Sequence, residues 1–404
     1  VTAYRQSRRD AGRDFDDPAG FDPDRGPRES ARPELVHVSI GLREDGGGAA
    51  HYGRLLGRAL RRLAARRGFR FRGLHFASSD GGPALDGYVS FRGSRARLGI
   101  EVLALQTLGR GRRLLVFDHP GPARAQGFLP RWARSLYAVA LLGIDAWREP
   151  RPAARRALAG AHRLLPISRV TLERARAFLP ADAPAVVVHP GLDTPHPGGA
   201  PDHTLLGTLG SGFALIVSRL AASERYKGHD ELLEAWPALT AYLPDSRLVV
   251  VGDGDDRRRL EDEVRRRGLS GAVRFTGFVD SATLAELYRR AALFVMPSTD
   301  EGFGLVFLEA MAAGKPCIAL AGTAPAEIVV DGETGRLVER GDRRALAAAL
   351  GELLGNRELA ARLGAAGRDR FEREFRFESF ERRLEAALAP LLALAPASAG
   401  AGGD

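Results

Sequence analysis

Residues 298–322 read STDEGFGLVFLEAMAAGKPCIALAG. The apolar run Leu293–Met296 precedes them, and a second apolar run, Cys317–Leu320, closes them. Gly302 and Gly304 allow the backbone a sharp turn and a close approach to a ligand. A helix is expected from about Gly304 to Ala313, with Gly314 as its C-terminal stop. Strand, glycine turn, helix, strand is the repeating unit of a parallel sheet covered by helices. The first turn of such a helix offers free N–H groups and a positive dipole end to an anion. Glu301 stands at that mouth and Glu309 one to two turns inside the helix. Two carboxylates so placed can accept hydrogen bonds from a polyhydroxylated ligand.

The same alternation extends in both directions. Toward the C-terminal half, runs at Phe213–Val217, Leu248–Val251 and Val273–Phe275 alternate with helical patterns near His229–Tyr242, Asp255–Arg267 and Ser281–Arg290. Toward the start, runs at Leu35–Ile40, Phe69–Phe76, Leu114–Phe117, Leu164–Ile167 and Ala185–Val188 alternate with His51–Arg67 and Val170–Phe178. The fold class is therefore α/β: two Rossmann-like, doubly wound parallel-sheet domains facing across a cleft, with ligands at the carboxyl ends of the strands. The expected boundaries are a disordered charged tail over 1–33, an N-terminal Rossmann-like domain over 34–195 and a Pro/Gly-rich linker over 196–212. A C-terminal Rossmann-like domain over 213–377, a last helix over 378–394 and a flexible tail over 395–404 follow.

The chain has 404 residues, 45% hydrophobic and 27% charged, with one cysteine, Cys317. That length suits two cores without disulfides. The longest apolar run, near Leu136–Ile144, is half of what a membrane span needs. The start lacks an apolar stretch after its arginines and is not expected to be a signal peptide. The composition excludes a disulfide scaffold, a membrane-spanning protein and a disordered chain, and leads to the expectation of a cytoplasmic protein. Residues 1–200 carry 33 basic against 19 acidic residues, and 201–404 carry 26 against 31. Only the first half is built to meet something anionic. Of its 59 basic residues the chain has just two lysines, Lys227 and Lys315.

At the head of the second half, FALIVSRLAASERYKGHDELLEAW (213–236) delivers Arg219 at a strand end and Lys227 just before a helix. A guanidinium fork with an ammonium point charge suits a diphosphate. These segments, with LVVVGDGDDRRRLE, VRFTGFV, the E-x7-E segment EGFGLVFLEAMAAGKPC and AEIVVDGETGRLV, resemble the retaining glycosyltransferases of family 4, which have the GT-B fold. The resemblance covers most of residues 213–340 in the family's order. It departs in a longer spacing from Arg219 to Lys227 and in AGTAPAEI, where a Gly-Gly form is commoner.

The resemblance implies that a nucleotide diphosphate sugar is the donor substrate, with no cofactor and no metal. Arg219 and Lys227 would bind the diphosphate and stabilise the leaving nucleotide. Glu301 and the backbone around Gly302, Phe303, Gly304 and Leu305 would meet the donor sugar, and Glu309 the ribose. Gly46, Gly47 and Gly48 are similar to the family's N-terminal glycine loop at the donor phosphates. His119, at a strand end in VFDHP, would be the cleft histidine near the transferred sugar. Ser168, in LPISRVTLERA, lies at a helix entrance near the cleft. The acidic turn GDGDD (252–256) reads as a helix start whose acids cap it, rather than as a metal site. The last helix is expected to cross back to the first domain, with Pro390 kinking or ending it. Its acceptor would be a glycan or a lipid-linked sugar.

The helix from His51 carries Arg54, Arg58, Arg61, Arg62 and Arg66 around an apolar stripe. This reads either as a solvated face or as a surface for anionic lipid, giving peripheral contact with a membrane. Two rivals stay open. A nucleic-acid-binding protein would use the basic half, although that half lacks aromatic residues interleaved with its arginines. A nucleotide-sugar epimerase or a phosphorylase could share the fold, though a phosphorylase needs a cofactor lysine.

Overall fold

The computed structural model describes residues 32–42, 47–76, 87–107, 113–193 and 199–395. Residues 1–31 and 396–404 of the expected tails and Gly46 lie outside these residues, as does the start of the linker. Two parallel six-stranded sheets form the molecule. The first contains β1 (Glu34–Ser39), β2 (Arg70–His75), β3 (Tyr88–Ser90), β4 (Arg113–Phe117), β5 (Leu136–Leu141) and β6 (Arg163–Pro166), in the order β3-β2-β1-β4-β5-β6. The second contains β7 (Ala214–Val217), β8 (Leu248–Val251), β9 (Val273–Gly277), β10 (Leu293–Val295), β11 (Cys317–Leu320) and β12 (Gly335–Val338), in the order β12-β11-β10-β7-β8-β9. Strands such as LVVV and CIAL are buried along their whole length, as strands covered on both faces must be.

The strand order reverses between β1 and β4 in one sheet and between β7 and β10 in the other. Crevices open at these switch points, beyond the carboxyl ends of the strands. The chain leaving β1, β4, β7 and β10 carries the glycine loop, His119, Arg219 with Lys227, and Glu301 respectively.

The helices used below are α1 (Gly47–Arg67), α2 (Arg95–Thr107), α3 (Pro152–Ala159), α4 (Arg169–Ala175), α5 (His229–Thr240), α6 (Arg257–Arg266), α7 (Ser281–Arg290), α8 (Leu305–Ala312), α9 (Arg343–Gly355), α10 (Arg357–Arg370) and α11 (Phe377–Leu394). Two expectations change. Ala185–Val188 is no strand, since only Ala185 makes an isolated bridge, to Leu164. Pro390 stays inside α11 without ending it. Buried Leu384, Leu388, Leu391 and Leu392 dock the helix on both sides of the proline, so packing outweighs its local cost.

α11 lies on α1, and their side chains belong to one apolar cluster with Phe213 and Trp236 of the second half. The basic face of α1 is engaged there. Arg62 Nη1 is 3.2 Å from Glu381, Arg66 lies 3.4 Å from Glu381 and 3.0 Å from Glu385, and Arg67 is 2.6 Å from Glu385. Arg58 stacks 3.4 Å over the Phe377 ring and pairs with Asp193 at 2.5 Å. Arg58, Arg62, Arg66 and Arg67 of α1 thus pair with acids of the same chain, while Arg54 donates to Leu42 O at 3.3 Å and Arg61 lies over the Phe71 ring.

Candidate functional site

The second half builds most of the site from backbone upward. Beyond β10 the chain turns through Gly304, whose φ of +99° only glycine adopts without strain. A Cβ there would lie 2.7 Å from the Phe307 ring. The Phe303 ring is buried and stacks on His189 with centroids 5.5 Å apart, leaving its backbone for any ligand. Glu301 is thereby held at the mouth of α8. Leu305 opens that helix.

Lys227 reaches Glu301 from the turn Ala222–Lys227 that follows β7, with Nζ 2.5 Å from Oε2. Both side chains are largely buried, at 15% and 17% exposure. The turn is pinned beside the Glu301 loop by Thr299 N–H donating to Tyr226 O at 2.9 Å. Its last step is Gly228, at φ +92°, where a Cβ would meet Pro297 at 2.6 Å. The acids of GDGDD hold the same turn instead of capping α6, which corrects the earlier expectation. Asp255 accepts from Ala222 N at 2.7 Å, and Asp256 takes Arg225 and Arg259 rather than any α6 amide. Those two guanidinium groups hold the Asp256 carboxyl at about 2, Arg259 contributing most. Among the described residues no group of three or more His, Cys, Asp or Glu is placed to hold a metal.

Arg219 is exposed and pairs with Glu224. Across the cleft stands Gly47, at φ +70°, where a Cβ would lie 3.5 Å from the Arg219 guanidinium carbon. Gly47 and Gly48 form the first turn of α1, which starts four residues earlier than its apolar stripe indicates. Glu309, in the second turn of α8, accepts a hydrogen bond from Tyr288 Oη on α7 at 2.8 Å. Burial raises the Glu309 carboxyl above its ordinary value, the Tyr288 hydroxyl offsetting only part of the rise. Sequence reasoning missed Tyr288, because a tyrosine on a helix carries no signal of its partner.

In the first half, His119 caps the short helix Pro120–Ala123, its Nδ1 accepting from Gly121 N at 2.9 Å. In the neutral ring the proton then sits on Nε2, which can donate. Behind it Asp118 is fully buried and accepts from Ile40 N at 3.1 Å, tying the exit of β4 to the exit of β1. Burial pushes the Asp118 carboxyl up to about 6. His37, 3.9 Å away and bonded to Tyr88 Oη at 2.6 Å, is held neutral by burial, at about 3. An aspartate directly before a strand-end histidine was the available sign of this network.

The two halves meet at the site. Ser168 Oγ donates to Gly302 O at 2.9 Å, and a Cβ on Gly302 would lie 2.2 Å from Leu142 O. The structure thus brings together Lys227 with Glu301, Arg219 with Gly47, and Ser168 with the Glu301 loop. Two cations, a helix N-terminus and a carboxylate converge on one crevice. That set can hold an anion beside a group rich in hydroxyls.

Residues 210–370 match the family of glycosyl transferases group 1. A GDP-mannose-dependent alpha-(1-6)-phosphatidylinositol monomannoside mannosyltransferase of Mycolicibacterium smegmatis is 32% identical over 274 residues, which are 59% of this chain and 70% of the relative. Sucrose-phosphate synthase from Thermosynechococcus elongatus superposes with a TM-score of 0.70 at 24% identity, over 90% of this chain and all of that one. HepE from Anabaena, in complex with UDP and glucose, gives 0.69 at 20% identity, over 89% of this chain and all of the other. The two structures share the two-domain fold with this chain.

Proposed function

The chain belongs to the group 1 glycosyltransferases, and from that premise we propose that it moves a hexosyl unit from a nucleotide diphosphate sugar to a glycan or lipid-linked acceptor, with retention of configuration and without a metal or cofactor. The observation that carries this reading is the Lys227–Glu301 pair at the mouth of α8, with Arg219 at the same crevice. A diphosphate would compete with Glu301 for Lys227. Its arrival would give the ammonium to the phosphates and leave the Glu301 carboxylate to accept from the sugar hydroxyls.

The acceptor hydroxyl would attack C1 on the face from which the nucleotide departs. The C1–O bond to the diphosphate breaks as the new C1–O bond forms, and the departing phosphate oxygen takes the acceptor proton. Arg219, Lys227 and the N–H groups at the start of α8 would stabilise the charge that develops on that oxygen. His119 would donate from Nε2 to the transferred sugar, and Glu309 would accept from the ribose in exchange for Tyr288. The name of the Mycolicibacterium smegmatis relative makes GDP-mannose and a mannosylated phosphatidylinositol the first pair to try. Such an acceptor would bring the enzyme to the cytoplasmic face of a membrane as a peripheral protein. No helix among the described residues is long and apolar enough to cross one.

A thermal-shift panel with UDP, GDP, ADP, NAD and the sugar conjugates tests the donor site. One nucleoside diphosphate and its conjugate are expected to stabilise the wild type, with the shift reduced in Lys227→Ala and Glu309→Gln. A flat response from folded protein would refute the donor assignment. Product released from the donor with no acceptor present would favour an epimerase.

A further inference from the structure

Helix α4 belongs to the first half, yet it grips the donor loop of the second at both neighbours of Glu301. Arg174 Nη1 lies 2.8 Å from Asp300 Oδ1, on one side of Glu301. On the other side Gly302 O accepts from Ser168 Oγ at 2.9 Å and from Thr171 Oγ1 at 3.4 Å. The Arg174 guanidinium is itself aimed by stacking 4.0 Å over the Trp147 ring. α4 is fixed in return by the second half, since Glu327 accepts from the backbone N–H groups of Arg169 at 3.0 Å and Val170 at 3.1 Å. The same carboxylate meets His189 Nε2 at 2.8 Å.

We propose that Arg174 and Ser168 are positioning residues, which hold the Glu301 loop in its reactive geometry from the opposite half and so make the donor site complete only when the halves are closed. The inference rests on the glycosyltransferase reading above. The Arg174–Asp300 pair is more than a third exposed on both sides, so it contributes little to stability. Its effect lies in orientation. It fixes one flank of Glu301 while Ser168 fixes the other, and a small misplacement of a group that meets the reacting sugar costs rate steeply. Arg174 and Ser168 bond to the two neighbours of Glu301 and not to Arg219 or Lys227, so the grip bears on rate rather than on nucleotide affinity.

The test uses the full chain, with GDP as binding probe and GDP-mannose as donor, or UDP and UDP-glucose if those stabilise the wild type. The expected result for Arg174→Ala and for Ser168→Ala is a fall in kcat of roughly ten- to a hundredfold, with unchanged nucleoside diphosphate affinity. The melting temperature should stay at the wild-type value in Arg174→Ala and fall in Ser168→Ala, which also loses the cap that Ser168 Oγ gives the Thr171 N–H. Arg174→Lys should recover part of the rate, because it keeps the charge and loses the planar fork. Arg174→Ala combined with Asp300→Asn should be no slower than the slower single variant, since both break one interaction. Wild-type kcat in Arg174→Ala, or a double variant equal to the product of the singles, would overturn the proposal. A wild type that binds neither nucleotide would overturn it together with the donor assignment.

Discussion

Asp118 shows how a residue of no obvious motif can govern a loop that has one. Its carboxylate pins Ile40, at the exit of β1, while its neighbour His119 caps the next turn. Burial raises its carboxyl from 3.8 to about 6. The folded chain therefore keeps a proton that the unfolded chain releases, and stability falls as pH rises from 3.8 to about 6. Asp118→Asn keeps the oxygen for the Ile40 amide and never ionises. The melting temperature of the variant, relative to wild type, is expected to climb across that window and level off above it. A difference that stays flat would mean the carboxyl ionises as readily folded as unfolded. Glu301 and Lys227 were legible because a glycine turn and a rare lysine mark them. The partners Tyr288 and Thr299 were not, because only the third dimension makes them neighbours, while the one sign of Asp118 was its place directly before a strand-end histidine.

Among the elements, α8 and its entry turn were the most readable, since two glycines and a long apolar run leave few alternatives. Gly304 tests that reading. Gly304→Ala forces a left-handed φ on a residue with a Cβ and drives it into Phe307, at 2.7 Å. The expected cost is roughly 1–3 kcal/mol of stability, seen as a lower melting temperature, together with a raised KM for the donor. A variant as stable as wild type would mean the turn relaxes freely. The acids of GDGDD were misread at this level. Position at a helix start suggested caps, whereas Asp255 and Asp256 reach back to the turn that presents Lys227. β3 and α2 went unread as well. Tyr88–Ser90 is a three-residue strand at the sheet edge, too short to show a period.

At the scale of the molecule, the alternating pattern predicted two parallel sheets, and two are present. The pattern could not say which charges would meet. Glu381 and Glu385 of α11 take Arg62, Arg66 and Arg67, so part of the basic face that reads as either solvated or lipid-facing meets acids of the same chain. Glu381→Gln combined with Glu385→Gln should release that face. The double variant is expected to bind phosphatidylserine vesicles more tightly than wild type, with a steeper salt dependence. Equal binding by both proteins would mean the arginines of α1 attract no lipid even when uncovered.

The cover of α1 also has an order in time. Arg62 and Glu381 are 319 positions apart in the chain. A ribosome makes α1 well before α11, and contacts so distant in sequence form late. Throughout synthesis of the second half, the first half stands with an apolar, cationic flank open to its surroundings. The nascent chain is then most exposed to chaperones, to polyanions and to aggregation, and the closing helix ends that exposure.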